Sequence, residues 1–357
     1  MTKIAILGGN SQVGAEVSFF LSLKKNIELV NLIRSEYSAP FLKLLSLPYR
    51  VVDYFDRNSM EAVLSDCELV LDFTSPTGQI TDLLQSIENN MLSILNCMKA
   101  GGKYIYMSSV MAFGMPSQSE RIKNHVLPRT AYASLKRCAE KYARAIGRKR
   151  DIQVFIFRLG QVHGVLQLVT QKFISQLEEG RLCVNGNPKS YTNTVFASSV
   201  SEAVLKCVGD GLKPGTYTIV SAPQWTLEEL FHFYRVRYGV KGLIEYGYKS
   251  ENTVSLRSTV IEYLWSRMIS WRDLLETYLL LRIPLVASKV KGLFRIKVAA
   301  HEIARMKSKG SKSSKVDLML LGVTPAPTIT AIRSSLQEIV SSEQALEAAL
   351  NNAIILK

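Results

Sequence analysis

The stretch Lys3-Ile4-Ala5-Ile6-Leu7-Gly8-Gly9-Asn10-Ser11-Gln12-Val13-Gly14 decides the fold class. Residues 3–7 are an apolar, branched run of strand length, residues 8–11 are turn formers, and a helical pattern follows over residues 15–23. A glycine opening such a turn and another entering the helix let backbone N–H groups and the helix dipole reach a pyrophosphate. Gly8 and Gly14 hold those two places, with Ser11 between them. Taken alone, the pattern also fits a tight strand-to-helix turn in which Gly8 supplies a positive φ.

Working outward, strand-like runs recur at residues 27–33, 50–53, 68–73, 103–107 and 152–158. Helical patterns lie between them at 59–64, 80–99 and 132–148. Apolar strands alternating with helices predict a parallel sheet covered on both faces, the doubly wound α/β arrangement that binds dinucleotides. Beyond Gly164 the elements become shorter and mixed: a helix at 168–179, a strand pair within 182–196, a helix at 198–208, a strand at 216–220 and a helix at 226–238. From 239 to about 315 the chain reads as mostly helical and basic. The expected organisation is a nucleotide-binding core over 1–164, joined by further strands and helices from 193–222. A smaller, mostly helical substrate-binding part follows over 165–345, including the enlarged basic segment 240–315, with a tail over 346–357.

Of 357 residues, 47% are hydrophobic and 21% charged, the balance of a chain with a sizeable core. No apolar run approaches the ~20 residues that cross a bilayer; the richest, 278–287, is broken by Arg282 and Pro284. The N-terminus enters a strand without a signal-like apolar segment, so a cytoplasmic protein is expected. Five scattered cysteines without a C-x-x-C pair, and four scattered histidines, give no metal-ligand spacing. The net charge of +14 is concentrated in two places. Residues 121–150 hold ten Lys/Arg against Glu140 alone, and 289–315 hold nine against Glu302 alone. Such patches attract phosphorylated ligands, anionic lipid or nucleic acid. The run Arg144 to Arg150 in the first reads as the solvated C-terminal end of a helix, where cations suit the dipole, so no nucleic-acid partner is expected. In 292–306, Leu293, Phe294, Ile296, Ala300 and Ile303 share a face beside Arg295, Lys297 and Arg305. That face is expected to pack in the core, with peripheral membrane contact as the alternative.

The end of the second strand should read the cofactor ribose, and an acid there would favour NAD. The segment is Val30-Asn31-Leu32-Ile33-Arg34-Ser35, with no carboxylate. A guanidinium suits a 2′-phosphate through paired hydrogen bonds, so Arg34 predicts NADP, with NAD as the alternative. Asp53 and Tyr54 end the third strand near the adenine position, although Asp53 equally suits capping the following turn. Tyr132 and Lys136 stand at i and i+4 on one helix face, where a fixed cation stabilises a phenolate and brings the phenol into the range of a general acid/base. Ser109, at the end of the fifth strand, is placed to hydrogen-bond the same substrate oxygen.

With these motifs together, the chain resembles the extended short-chain dehydrogenase/reductase family, the nucleotide-sugar epimerase, dehydratase and reductase group. Its TGxxGxxG pattern appears as Leu7-Gly8-Gly9-Asn10-Ser11-Gln12-Val13-Gly14, departing at Leu7 and Ser11. Its SSxxVYG motif appears as Ser108-Ser109-Val110-Met111-Ala112-Phe113-Gly114, and YxxxK as Tyr132 and Lys136. Asn89-Asn90, Arg158 to Gly164, Asn193 to Val200 and Leu321-Gly322-Val323-Thr324-Pro325 are similar to further family segments. The resemblance implies a Rossmann fold and catalysis by Ser109, Tyr132 and Lys136. It implies cofactor contacts from Gly8, Asn10, Ser11, Gln12, Val13, Gly14, Arg34, Asp53, Tyr54, Phe73, Thr74, Tyr132 and Lys136. Substrate contacts are implied at Asn90, Ser109, Val110, His163 and Asn193, although a lone histidine such as His163 is more often structural. Family dehydratases carry acids directly after the catalytic serine or threonine, where this chain has Val110 and Met111, so elimination of water is not expected. What remains is an NADP(H)-preferring oxidoreductase or epimerase of a nucleotide sugar, working as a homodimer. The alternatives are a ketoreductase of a lipid, steroid or polyketide-like substrate, and a catalytically idle nucleotide-binding regulator.

Overall fold

In the computed structural model, the opening stretch forms strand β1 (Thr2–Leu7) and passes through residues 8–11 into helix α1 (Gln12–Ser22). The structure describes residues 1–74, 80–113, 131–185, 187–221, 224–247 and 336–355. The chain continues through β2 (Ile27–Ile33), α2 (Pro40–Leu44), β3 (Tyr49–Val51), α3 (Arg57–Leu64), β4 (Leu69–Asp72) and α4 (Ile80–Cys97). Next come β5 (Lys103–Ser109), α5 (Ala131–Lys149), β6 (Gln153–Leu159), β7 (Gln161–His163), α6 (Leu168–Glu178) and β8 (Arg181–Asn185). The remainder is β9 (Thr194–Phe196), α7 (Ala197–Val208), β10 (Gly215–Ile219), α8 (Leu227–Tyr238), β11 (Leu243–Gly247) and α9 (Leu336–Ile355).

Seven strands form one sheet in the order β10-β6-β5-β4-β1-β2-β3, every pairing parallel. The order reverses between β1 and β4, which opens a crevice at the C-terminal ends of the strands. β1 shows why the sheet needs helices on both faces. Ile4 and Ile6 enter one apolar cluster, with Val17 and Leu21 of α1 and Val200 and Val204 of α7. Ala5 and Leu7 enter another, with Met60 of α3, Met91 of α4 and Ala139 of α5. All four residues are fully buried, as alternation on a strand covered on both sides requires.

The smaller part has its own core, where Phe173, Leu182, Phe196, Leu230, Phe231 and Tyr234 meet. Here the strand pair expected within 182–196 is corrected: β8 pairs with β11, and β9 with β7, both parallel. β11 adds a strand to the mostly helical reading after 239. Gly239, with φ +65°, ends α8, and the next stretch alternates, Ile244 and Tyr246 packing inward while Leu243 is exposed. Residues 248–315 and the 321–325 turn lie outside the described residues. The tail expected from 346 is the second half of α9. Ile339 of this helix lies in the core of the smaller part and Leu346 in the α1/α7 cluster of the sheet. Among the described residues no helix is long and apolar enough to cross a membrane, and no group of His, Cys, Asp and Glu is arranged to hold a metal.

Candidate active site

Gly8 adopts φ +72°, and a Cβ there would lie 3.0 Å from the Phe73 carbonyl carbon. A Cβ on Gly14 would come within 2.5 Å of the Gly8 oxygen and 2.8 Å of Ser11 Oγ. Both glycines are thus demanded by close backbone approach. Ser11 caps α1, its Oγ accepting from the Gly14 N–H at 3.1 Å, and the first turn of α1 carries no acid. The positive end of that helix dipole is therefore left for a ligand. Gln12 turns its side chain away to accept from the Leu168 N–H at 3.5 Å, and Val13 packs against the core. These two positions have backbone N–H groups, rather than side chains, to offer at the turn.

Beside the turn lies a cleft of about 340 Å³. Gly8, Asn10, Ser11, Leu32, Tyr54, Phe73, Thr74, Asn90 and Tyr106 are among the residues that line it. Arg34, exposed at the end of β2, is the one charged residue among the described residues lining it. The neighbouring acid, Glu36, is engaged by Lys43 at 3.0 Å and by the Tyr49 hydroxyl at 2.9 Å. Asn10 lines the cleft but also has a second task. Its Oδ1 accepts from the Phe41 N–H at 3.0 Å, capping α2, whose own N-cap, Ala39, supplies no side-chain hydrogen bond. Tyr54 is buried and donates its hydroxyl to the Leu32 carbonyl at 2.7 Å. Asp53 does not line the cleft; its Oδ1 accepts from the Phe55 N–H at 2.9 Å, the turn-capping option, and exposed Phe55 lines the cleft in its stead.

Ser109 ends β5 opposite Leu159, and its Oγ accepts from the Met111 N–H at 3.2 Å, steadying the turn that holds Val110. Tyr132 lies in the first turn of α5, and Lys136 one turn further on. Lys136 is buried, its Nζ donating to the Met107 carbonyl at 2.8 Å and lying 4.9 Å from the Tyr106 ring centre. Tyr106 thus joins the lysine to the cleft. Burial pulls the Lys136 ammonium down to about 8, against the opposing pull of Asp72 and Glu140. Asp72, at the end of β4, is wholly buried, and burial pushes its carboxyl above the usual range. It accepts from Thr74 N at 2.7 Å, Thr74 Oγ1 at 2.6 Å and the Tyr104 hydroxyl at 2.5 Å. Asn90 Nδ2 donates to Thr74 Oγ1 at 3.2 Å, fixing the wall of the cleft.

Two expected substrate contacts sit elsewhere. His163 is fully buried, 2.6 Å from the Tyr234 hydroxyl and stacked on Phe173, and burial pulls its imidazolium down to about 3. Enclosed in this way, it packs within the smaller part rather than lining the cleft. Asn193, 5% exposed with φ +49°, forms a corner whose carbonyl accepts from the Gln161 N–H at 3.0 Å. Phe55, Asp72, Tyr106 and Glu140 went unread as site-forming residues. Glu140 had left a signal, the single acid among ten cations in 121–150.

Residues 4–219 match the sequence profile of the NAD dependent epimerase/dehydratase family. Among solved structures, the chain is similar to UDP-N-acetylglucosamine 4-epimerase from Bacillus cereus, with a TM-score of 0.58 and 18% identity over 74% of this chain and 93% of that one. It is also similar to UDP-glucuronic acid 4-epimerase from Bacillus cereus in complex with UDP-glucuronic acid and NAD, with a TM-score of 0.56 and 14% identity over 75% of this chain and 100% of that one. A third is dTDP-glucose 4,6-dehydratase from Bacillus anthracis in complex with NAD, with a TM-score of 0.56 and 16% identity over 74% and 91%. No curated protein matches by sequence.

Proposed function

The chain belongs to the NAD dependent epimerase/dehydratase family, and from that premise we propose that it is an NADP(H)-preferring oxidoreductase or epimerase acting at an alcohol or ketone carbon of a nucleotide-activated sugar. One observation carries the reading: Tyr106 both lines the cleft beside the glycine turn and lies under Lys136, on the strand that ends in Ser109. The residues present fit a dinucleotide. Gly8 and Gly14 keep the turn free of side chains, the uncompensated start of α1 suits a pyrophosphate, and Arg34 stands at the rim for a 2′-phosphate while Glu36 is held by Lys43. The chemistry that the cofactor supplies when bound is reversible acceptance of a hydride.

The protein's own residues handle the proton. In this reading Tyr132 takes the substrate hydroxyl proton or returns it to the ketone oxygen. Ser109 donates a hydrogen bond to that same oxygen and fixes its orientation. The Lys136 ammonium lowers the cost of the Tyr132 phenolate and offers a donor to the ribose. Val110 and Met111 carry no carboxyl, so elimination of water has no second acid/base at those positions, and epimerisation or reduction is favoured over dehydration.

The test is purified protein incubated with UDP-N-acetylglucosamine, UDP-glucuronic acid or simple ketones, with NADP(H) or NAD(H), and followed by proton NMR. Epimerised or reduced sugar nucleotide is the expected product. Tight dinucleotide binding without turnover of any of them refutes the enzyme reading in favour of a nucleotide-binding regulator, and turnover of ketones alone refutes the sugar.

A further inference from the structure

We propose that Glu140 is the positioning residue of this site, locking the Ser108–Ser109 end of β5 and the Lys136 turn of α5 onto β6 in a single register. The inference rests on the Ser109/Tyr132/Lys136 reading above. Glu140 is 1% exposed and follows Lys136 by one helical turn. Its carboxylate gathers donors from two strands and from its own helix. Ser108 Oγ reaches Oε1 at 2.6 Å; Arg158 Nε reaches Oε1 at 2.8 Å while its Nη2 reaches Oε2 at 2.6 Å; Arg144 Nη2 reaches Oε2 at 3.3 Å. Arg144 extends the tie to a third strand, donating to Thr216 Oγ1 of β10 at 2.9 Å.

Ser108 and Arg158 are register partners on adjacent parallel strands, so both present their side chains to the face that α5 covers. The forked pairing of Arg158 with one carboxylate fixes direction as well as distance. A one-residue slip of β5 would turn Ser108 away from Glu140 and displace Ser109 with it.

Glu140 also carries charge. Burial pushes its carboxyl up, but the hydrogen bonds and charge of Arg158, with help from Arg144 and Ser108, hold it below the usual range. A carboxylate is therefore present one turn from Lys136. Among the described residues, those facing Lys136 include Asp72 from β4, the Tyr106 ring and Met107 carbonyl from β5, and Glu140 on its own helix. Of these, Asp72 and Glu140 favour the ammonium against burial. Without Glu140 the lysine loses its proton at lower pH and supports the Tyr132 phenolate less well.

Each half of the role has its own measurement. With lysine labelled at 13Cε, and the Lys136 signal identified by its loss in Lys136→Arg, titration by NMR reads the charge directly. Glu140→Gln keeps the shape and removes the charge, and should move the Lys136 titration down by about one pH unit or more. An unmoved titration in the folded variant overturns the electrostatic half. Ser108→Ala keeps the charge and cuts one tie, a change small enough to fold. It should leave the Lys136 titration in place and speed amide hydrogen exchange at residues 108–111 by about tenfold. Unchanged exchange overturns the positioning half. Neither readout requires turnover, so full activity in Tyr132→Phe would remove the catalytic reading while Glu140 is still judged on its own data.

Discussion

Deleting a single hydroxyl separates chemistry from binding. Tyr132→Phe removes the transferable proton and keeps the ring, so turnover should fall by about 10²-fold or more with dinucleotide affinity nearly unchanged; a mutant of equal activity rejects the assignment. Arg34→Ala bears on cofactor choice. A charge-assisted pair with a 2′-phosphate contributes about 1.5–3 kcal/mol, roughly a 10- to 150-fold loss for NADPH that NADH should not share. Equal weakening in fluorescence titrations would make Arg34 an adenine neighbour only. At this scale the glycine turn was legible, since close backbone approach demands Gly8 and Gly14 and leaves a local trace in sequence. Asp72 and Tyr106 were not, since their roles depend on Tyr104 and Lys136 approaching from other elements. His163 fits the structural side of its two readings, although a position just after β6 says nothing about the three aromatic rings that enclose it.

Elements were legible where their end signals are local. Thr226 and Glu229 form a reciprocal capping box at the start of α8, and the helix begins where that pattern places it. Thr226→Ala should cost about 1 kcal/mol of unfolding free energy, measured by denaturant titration. Asn10→Ala is more telling, because α2 takes its cap from a residue on the glycine turn. Loss of that acceptor should loosen α2 and weaken dinucleotide binding together, and loosened α2 with unchanged binding would show that the turn holds its shape alone. Strand partners are less legible: proximity in sequence suggests that β8 and β9 pair, whereas each finds its partner, β11 or β7, across intervening chain. Periodicity assigns a face to a residue, and nothing in it names the neighbour.

For the molecule as a whole, the alternation of strands and helices was enough to predict the sheet, while α9 closing over it was invisible because its apolar residues serve two cores. Behind the sheet, burial pushes Glu16 up to about 8 and Glu343 up to about 7. Glu16 accepts from the Leu166 N–H and Gln167, whereas neither Glu343 oxygen has a hydrogen-bond partner among the described residues. Both favour the protonated form when folded, so their contribution is complete below pH 4.5 and is lost as pH climbs through 7 to 8. His163 acts oppositely, its neutral form being favoured, with stability lost as pH falls below 6.5 towards 3. Thermal unfolding should accordingly peak in mildly acidic buffer, and Glu343→Gln should flatten the decline on the alkaline side; an unchanged slope would mean that Glu343 meets solvent. α9 has a further bearing on the packing of the sheet. The apolar face of α1 is finished by Leu346 of α9, a residue remote from it in sequence. Cutting α9 away would leave an open seam along α1 and α7, while Ser11 would still cap the nucleotide turn from within.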